Sequence, residues 1–529
     1  MNSGSSVLST GVAPFGNPDG ARENLDSLLE RFVDFAGNEA FGALATRADD
    51  MRARVIVGRM GAGKTVYLRR LQASADHEAS VYADTSQGDL PSTESIVRTC
   101  QFFERHDLVE MWRRIWSCAI TRTATAHILR RRELRERVNA ELREELARYD
   151  FLIGSGRAPG TVYSHMADIL YEYDAKHKLM AYLQRREWSD LTHFLREAVG
   201  DLPPIAFYVD GVDESFAYAP MYWLPCQEGL FHAVMLWLKD QRIGGRLHVV
   251  VTIRDVVFSS VLRSEMASKY RGEPHVRVLD WDASSLKYLL FNKIEKLDKR
   301  YLTDPSEEDP MIAWLGHAEI ENLARGTTER TLDYVLRHSR LIPRDLVELG
   351  NSLSNAVLRA KQSADGVPSQ QSIRDTVAAA AAAFGNDQIQ QCANQVSADL
   401  APAKSGQHGY ADLYVGRHAY IRDEIVEGLR DALLLLGVDR FDAPTLQAAR
   451  DLLRQHFDGQ TDLATVLWQN GLLGFVGKRN GTEGTFFYSM GGTSELQPPL
   501  SEHEYVLHPC LIDAIGIRPV GSQPVRPFA

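Results

Sequence analysis

Short apolar runs recur along the chain and end in glycine or charged residues, while helical spacing fills the intervals between them. Val55-Ile56-Val57, Ala79-Ser80-Val81-Tyr82-Ala83, Ile205-Ala206-Phe207-Tyr208-Val209, Leu247-His248-Val249-Val250-Val251-Thr252 and His275-Val276-Arg277-Val278-Leu279 read as strands. Continuous apolar strands separated by helical stretches are the pattern of an α/β protein with a parallel sheet covered on both faces. Ahead of the first strand, Leu25, Leu28, Leu29, Phe32 and Val33 mark one apolar face of a helix. Residues 93–199 are helical in pattern and form a long insert between the second and third strands. Ser284–Leu297 and Arg330–Leu358 predict amphipathic helices suited to a lid, and residues 361–372 form a linker.

The C-terminal region, residues 373–529, opens with a helix-forming alanine run, Ala378–Ala383. Further on, a helix near Asp462–Asn470 runs into Leu472–Val476. A turn at Asn480-Gly481 and a return strand Thr485–Tyr488 follow, with a last strand at Glu504–His508. Helix followed by hairpin predicts a winged-helix-like domain. Such domains often place a recognition helix in DNA, yet residues 461–470 contain no Lys or Arg and only Lys478 and Arg479 mark the wing tip. Protein contact or intramolecular packing is an equal alternative.

Composition narrows the class. The chain has 529 residues, enough for two or three domains, with 44% hydrophobic and 24% charged residues, as in ordinary globular proteins. Formal net charge is −11, so the whole chain offers no electrostatic footprint for nucleic acid, and any such contact needs a local patch. No apolar run approaches the ~20 residues that span a bilayer. Residues 1–21 read as a flexible start without a secretion signal, and a cytoplasmic location without membrane association is the expectation. The cysteines Cys100, Cys118, Cys226, Cys392 and Cys510 are scattered, which predicts reduced, buried thiols rather than a zinc or redox motif. The mixed-charge run Arg130–Arg137 reads as a solvated helix supported by i,i+4 pairs.

Candidate chemistry lies at the strand ends. Gly58-Arg59-Met60-Gly61-Ala62-Gly63-Lys64-Thr65, continued by Val66, joins the first strand to a helix, the setting of a phosphate-binding loop. Glycines let backbone N–H groups converge on phosphate oxygens, Lys64 is suited to meet the β- and γ-phosphates, and Thr65 to hold Mg²⁺. The third strand ends in Asp210-Gly211-Val212-Asp213-Glu214, where Asp210 is the candidate metal ligand and either Asp213 or Glu214 the residue that orients or deprotonates water. The fourth ends in Thr252-Ile253-Arg254-Asp255, and Thr252 or Arg254 is placed to sense the γ-phosphate. Arg344, just after Pro343 at a helix start, is positioned to reach nucleotide across the cleft.

This ordered set, with Val209–Glu214, Ile253–Phe258, Lys269, Leu279-Asp280-Trp281-Asp282 and Ser339–Leu346, resembles the AAA+/STAND branch of P-loop ATPases, and more narrowly a group of bacterial members labelled only as ATP-binding proteins. The likeness covers about residues 24–360. It implies a three-layer core over residues 22–283, with a five-stranded parallel sheet in the order 5-1-4-3-2, and a helical lid over residues 284–360. It also implies ATP and Mg²⁺ as cofactors, ATP hydrolysis coupled to a conformational or assembly switch, and a protein partner or self-assembly. In such families a finger arginine lies between strands four and five, where Arg263 and Arg271 stand. Analogy extends to bacterial anti-phage defence, and the alternative is a nucleotide-gated DNA-binding protein of the origin-recognition type.

Overall fold

A computed structural model of the chain describes residues 13–33, 54–74, 79–83, 93–154, 158–212, 220–240, 243, 245–263, 267–363, 366–404, 418–456, 462–479, 482–488, 497–499 and 503–526. Four strands, β1 (Val55–Gly58), β3 (Ile205–Val209), β4 (Leu247–Arg254) and β5 (Val276–Leu279), form a parallel sheet in the order β3-β4-β1-β5. Val55 pairs with Val251 on one side and Val276 on the other, and Ile205 pairs with Leu247. A further strand, β2 (Ala79–Ala83), lies parallel along the outer edge of β3, so that the full order reads β2-β3-β4-β1-β5. The chain leaves β1 toward the β2 edge, whereas β4 passes across β1 to β5. These opposed crossovers open a crevice at the C-terminal ends of β1 and β4, where open α/β sheets bind ligands.

Strand alternation divides the core in two. Val55, Val57, Phe207, Val209, Val249 and Val251 face a cluster that includes Trp112, Ile115 and Trp116 from the helix Leu108–Arg130 and Leu230 and Phe231 from the helix Pro220–Lys239. Ile56, Ala206, Tyr208 and Val250 face the opposite cluster with Leu68, Leu286 and Leu349. A period of two along strands buried on both faces accounts for the continuous apolar runs in the sequence. Residues 93–199, expected as a helical insert, run through helices from Thr93–Gln101 to Glu187–Gly200 and cover the first face.

On the second face lie the helices Lys64–Ser74, Ala283–Glu295, Thr331–His338 and Pro343–Gln362, together with an antiparallel hairpin, β6 (Glu319–Asn322) and β7 (Thr327–Arg330), that the apolar pattern does not announce. The long helix Gln370–Lys404 begins inside the stretch expected as linker. It leads toward an antiparallel sheet of β8 (Arg440–Phe441), β9 (Leu473–Arg479), β10 (Thr482–Phe487) and β11 (Tyr505–Leu507), in the order β10-β9-β11-β8. The helix Leu463–Gln469 precedes the β9–β10 hairpin. All five cysteines are free and buried, and among the described residues no helix is long and apolar enough to cross a membrane.

Candidate functional site

The loop after β1 is shaped by its glycines. Gly61 and Gly63 have φ of 84° and 91°, a left-handed conformation that side chains resist, and the helix Lys64–Ser74 starts directly after them. The Lys64 ammonium folds over the loop and donates to the carbonyls of Gly58 and Arg59, each at 3.0 Å. From the end of β5, the Trp281 indole donates to the Ala62 carbonyl at 2.9 Å and holds the loop's crest. Backbone N–H groups wrapped in this way, ahead of a helix N-terminus, suit an anion.

Asp210 lies just past the end of β3 and is 5% exposed. Thr252 on β4 donates to its Oδ1 at 2.5 Å, and Tyr163, from the insert helix Val162–Glu172, donates to its backbone carbonyl at 2.5 Å. Gly211, with φ of 67°, then turns the chain away. Asp213 and Glu214 lie outside the described residues. Arg254 departs from expectation. Its amide donates to Gln227 Oε1 at 3.0 Å, its guanidinium lies 5.3 Å from the Trp223 ring centre, and it does not line the cavity beside the loop. Thr252 is the β4 residue that engages the site. Arg263 and Arg271 are exposed.

That cavity, of about 520 Å³, brings together most of the residues singled out by sequence. Gly63, Lys64, Thr65, Val66, Asp210 and Arg344 border it, as do Met60 and Gly61. Arg344 is fixed by its amide, which donates to the Gly61 carbonyl at 3.2 Å, and by Nε, which donates to the Pro18 carbonyl at 3.4 Å. Phe32, Val33, Tyr67, Leu289 and Val347 add apolar side chains to the cavity's lining. Lys293 also borders it and donates to the Phe15 carbonyl at 3.1 Å. Burial pulls this ammonium down to about 8, against the opposing pull of Glu23.

Residues 13–23, within and next to the stretch 1–21 expected as a flexible terminus, border the cavity as a strap. The Phe15 amide donates to Asn351 Oδ1 at 2.8 Å, Asn351 Nδ2 returns a bond to the Gly16 carbonyl at 2.9 Å, and Arg69 donates to the Glu23 carbonyl at 2.7 Å. The turn-forming Asn17-Pro18-Asp19-Gly20 beside Phe15 was the available signal for it. The role of Tyr163 has a fainter signature, the capping box at Thr161 and Ser164 that starts its helix.

Arg59, expected among the nucleotide-contacting residues, faces the other way. With Gly58 and Ala62 it borders a separate cavity of about 70 Å³ on the rear of the loop. Its guanidinium donates to the Tyr488 carbonyl, lies 5.3 Å from the Tyr488 ring centre, and stands 3.6 Å from the buried Asp255 carboxylate. The C-terminal domain makes room for it, since a Cβ at Gly471 would come within 2.8 Å of Arg59 Nη1. Ser259 and Tyr488 hydroxyls meet at 2.8 Å beside it.

Hard oxygen donors at the mouth of the loop, the Thr65 hydroxyl and the Asp210 carboxylate, are the type that Mg²⁺ takes. Comparison of the chain with protein-family models gives no match, and no curated protein matches it.

Proposed function

We propose that the chain is a Mg²⁺-dependent P-loop ATPase of the AAA+/STAND type, with a helical lid and a winged-helix-like C-terminal domain, in which nucleotide state drives a conformational or assembly switch. One observation carries this reading: Lys64, Thr65 and Asp210 border the same cavity, at the open side of a loop whose glycines adopt the left-handed conformation. Its volume suits a nucleotide. The apolar lining offers a surface for the base, and the loop offers N–H groups and the Lys64 charge for phosphates.

In this reading Lys64 exchanges its two carbonyl bonds for phosphate oxygens, and Thr252 keeps the Asp210 carboxylate oriented. Thr65 and Asp210 would hold Mg²⁺, which when bound would neutralise phosphate charge. Asp213 or Glu214 orients the attacking water. Arg344 belongs to the lid helix yet touches both the loop and the strap, so loss of the γ-phosphate removes a charge-assisted contact that ties the lid to the core.

The DNA-reading alternative draws less support from the C-terminal domain. The helix Leu463–Gln469 buries Leu463, Ala464, Val466, Leu467 and Trp468, and Gln395 of the long helix bonds to Gln469 and Asn470. A helix covered by its own chain is not presented to a DNA groove.

The test is ATP binding and steady-state hydrolysis with Mg²⁺ for the wild type and Lys64→Ala. Turnover in the wild type and a loss of affinity of about a hundredfold or more in the variant are expected, because the loop then lacks the cation that meets the phosphates. Unchanged affinity in Lys64→Ala overturns the assignment.

A further inference from the structure

The helical insert of residues 93–199 reaches the candidate metal site through the Tyr163 hydroxyl. Tyr163 is 1% exposed, and its O–H donates to the Asp210 carbonyl at 2.5 Å. The β3–β4 ladder ends at the Val209–Val251 pair, one residue earlier. Asp210 is thus gripped at both ends, its carboxylate by Thr252 on the sheet and its backbone by the insert. Rotation about Gly211, whose φ is 67°, begins at the very next residue and leads to the acidic pair.

Tyr163 itself sits in a rigid setting. Its ring packs edge-on against Trp116, with centroids 6.0 Å apart, and the Trp116 indole donates to the Cys226 carbonyl at 3.1 Å. Ahead of Tyr163, the Gly160 carbonyl is bonded by His127 Nε2 at 2.9 Å. After it, His165 Nδ1 meets Thr123 Oγ1 at 2.9 Å. Both partners lie on the helix Leu108–Arg130, which is the centre of the insert. A shift of that helix therefore moves the Tyr163 hydroxyl, and the hydroxyl holds the peptide that carries the Asp210 carboxylate.

We propose that Tyr163 is a positioning residue for Asp210, and that the insert regulates the metal site of the ATPase through this bond. The inference rests on the ATPase reading, and its test separates the two. Full-length Tyr163→Phe retains the ring and its packing and loses only the hydroxyl. ATP binding in the presence of EDTA is expected to match the wild type, as is the melting temperature within a few degrees. The Mg²⁺ concentration for half-maximal turnover is expected to rise roughly three- to tenfold, the range one buried hydrogen bond supports. Thr252→Val, which releases the other end of Asp210, should shift the same quantity, and the double variant should fall short of the product of the two single effects.

An unchanged Mg²⁺ requirement in Tyr163→Phe, with an active wild type, overturns the positioning role and leaves the ATPase standing. Equal losses in metal-free and Mg²⁺-supported binding make Tyr163 a structural residue and also overturn it. A wild type that binds no ATP removes the ATPase reading, and the inference falls with it.

Discussion

The loop between β1 and the helix Lys64–Ser74 has two faces, and they are built on opposite principles. Its front borders a cavity of about 520 Å³, and its own Lys64 bonds back to loop carbonyls. Its rear borders a cavity of only about 70 Å³ and is gripped by the C-terminal domain, with Arg59 bonded to Tyr488 and paired with Asp255. In the proposed reading the front takes a ligand, and Arg59 adds fastening from behind to the bonds that Trp281 and the Arg344 amide make to Ala62 and Gly61. Conformational cost is met at folding rather than at binding, which is what preorganisation means for affinity.

Substitution on each face separates the two roles. Lys64→Ala acts on the front and carries the largest effect, the loss of nucleotide affinity described above, with little change in the melting temperature of the unliganded protein. Arg59→Ala acts on the rear and should show the reverse pattern. It leaves the Asp255 carboxylate, 2% exposed, without the guanidinium that faces it, at a cost of about 1–3 kcal/mol. Urea unfolding measures that cost. Limited proteolysis should release the C-terminal domain sooner, and a variant as stable as the wild type shows that the rear contact does not fasten the loop.

Arg344→Ala tests whether the lid reads the front face. The side chain borders the cavity, while its backbone amide, untouched by the substitution, still bonds to Gly61. Loss of one charge-assisted contact should weaken ATP binding by roughly tenfold, and ADP binding by less, if the contact is to the γ-phosphate. Equal weakening of both nucleotides places Arg344 elsewhere on the ligand.

Most of the front face was legible in the sequence because its signals are local. Three glycines, a lysine and a threonine follow one short apolar run, and an aspartate closes another. The rear face was not, because its partners lie far apart in the chain. Arg59 and Tyr488 are 429 positions apart, and nothing in a loop motif says which way its second residue turns. Phe15 and Asn351, 336 positions apart, hide the strap for the same reason. Arg254 shows a further limit. Its place at the end of β4 could be read from the apolar run, but not that its guanidinium lies over Trp223 and its amide bonds Gln227, both on the helix Pro220–Lys239.

A further effect concerns the charge held beside the front cavity. Lys293 borders it and bonds to Phe15 of the strap, and burial chiefly pulls its ammonium down to about 8, with Arg31 and Lys296 adding to the shift and Glu23 opposing it. An unfolded lysine titrates near about 10.4. Between those values the unfolded chain binds more protons than the folded one, so this residue makes stability rise with pH across that window. Below about 8 the penalty for holding the charge is present in full. Lys293→Met removes the titration, so its stability relative to the wild type should be highest near pH 7 and should decline toward pH 10. Urea midpoints for both proteins at pH 7, 8.5 and 10 decide the matter. A constant gap between them means that Lys293 is solvated, and that the strap does not shield it in solution.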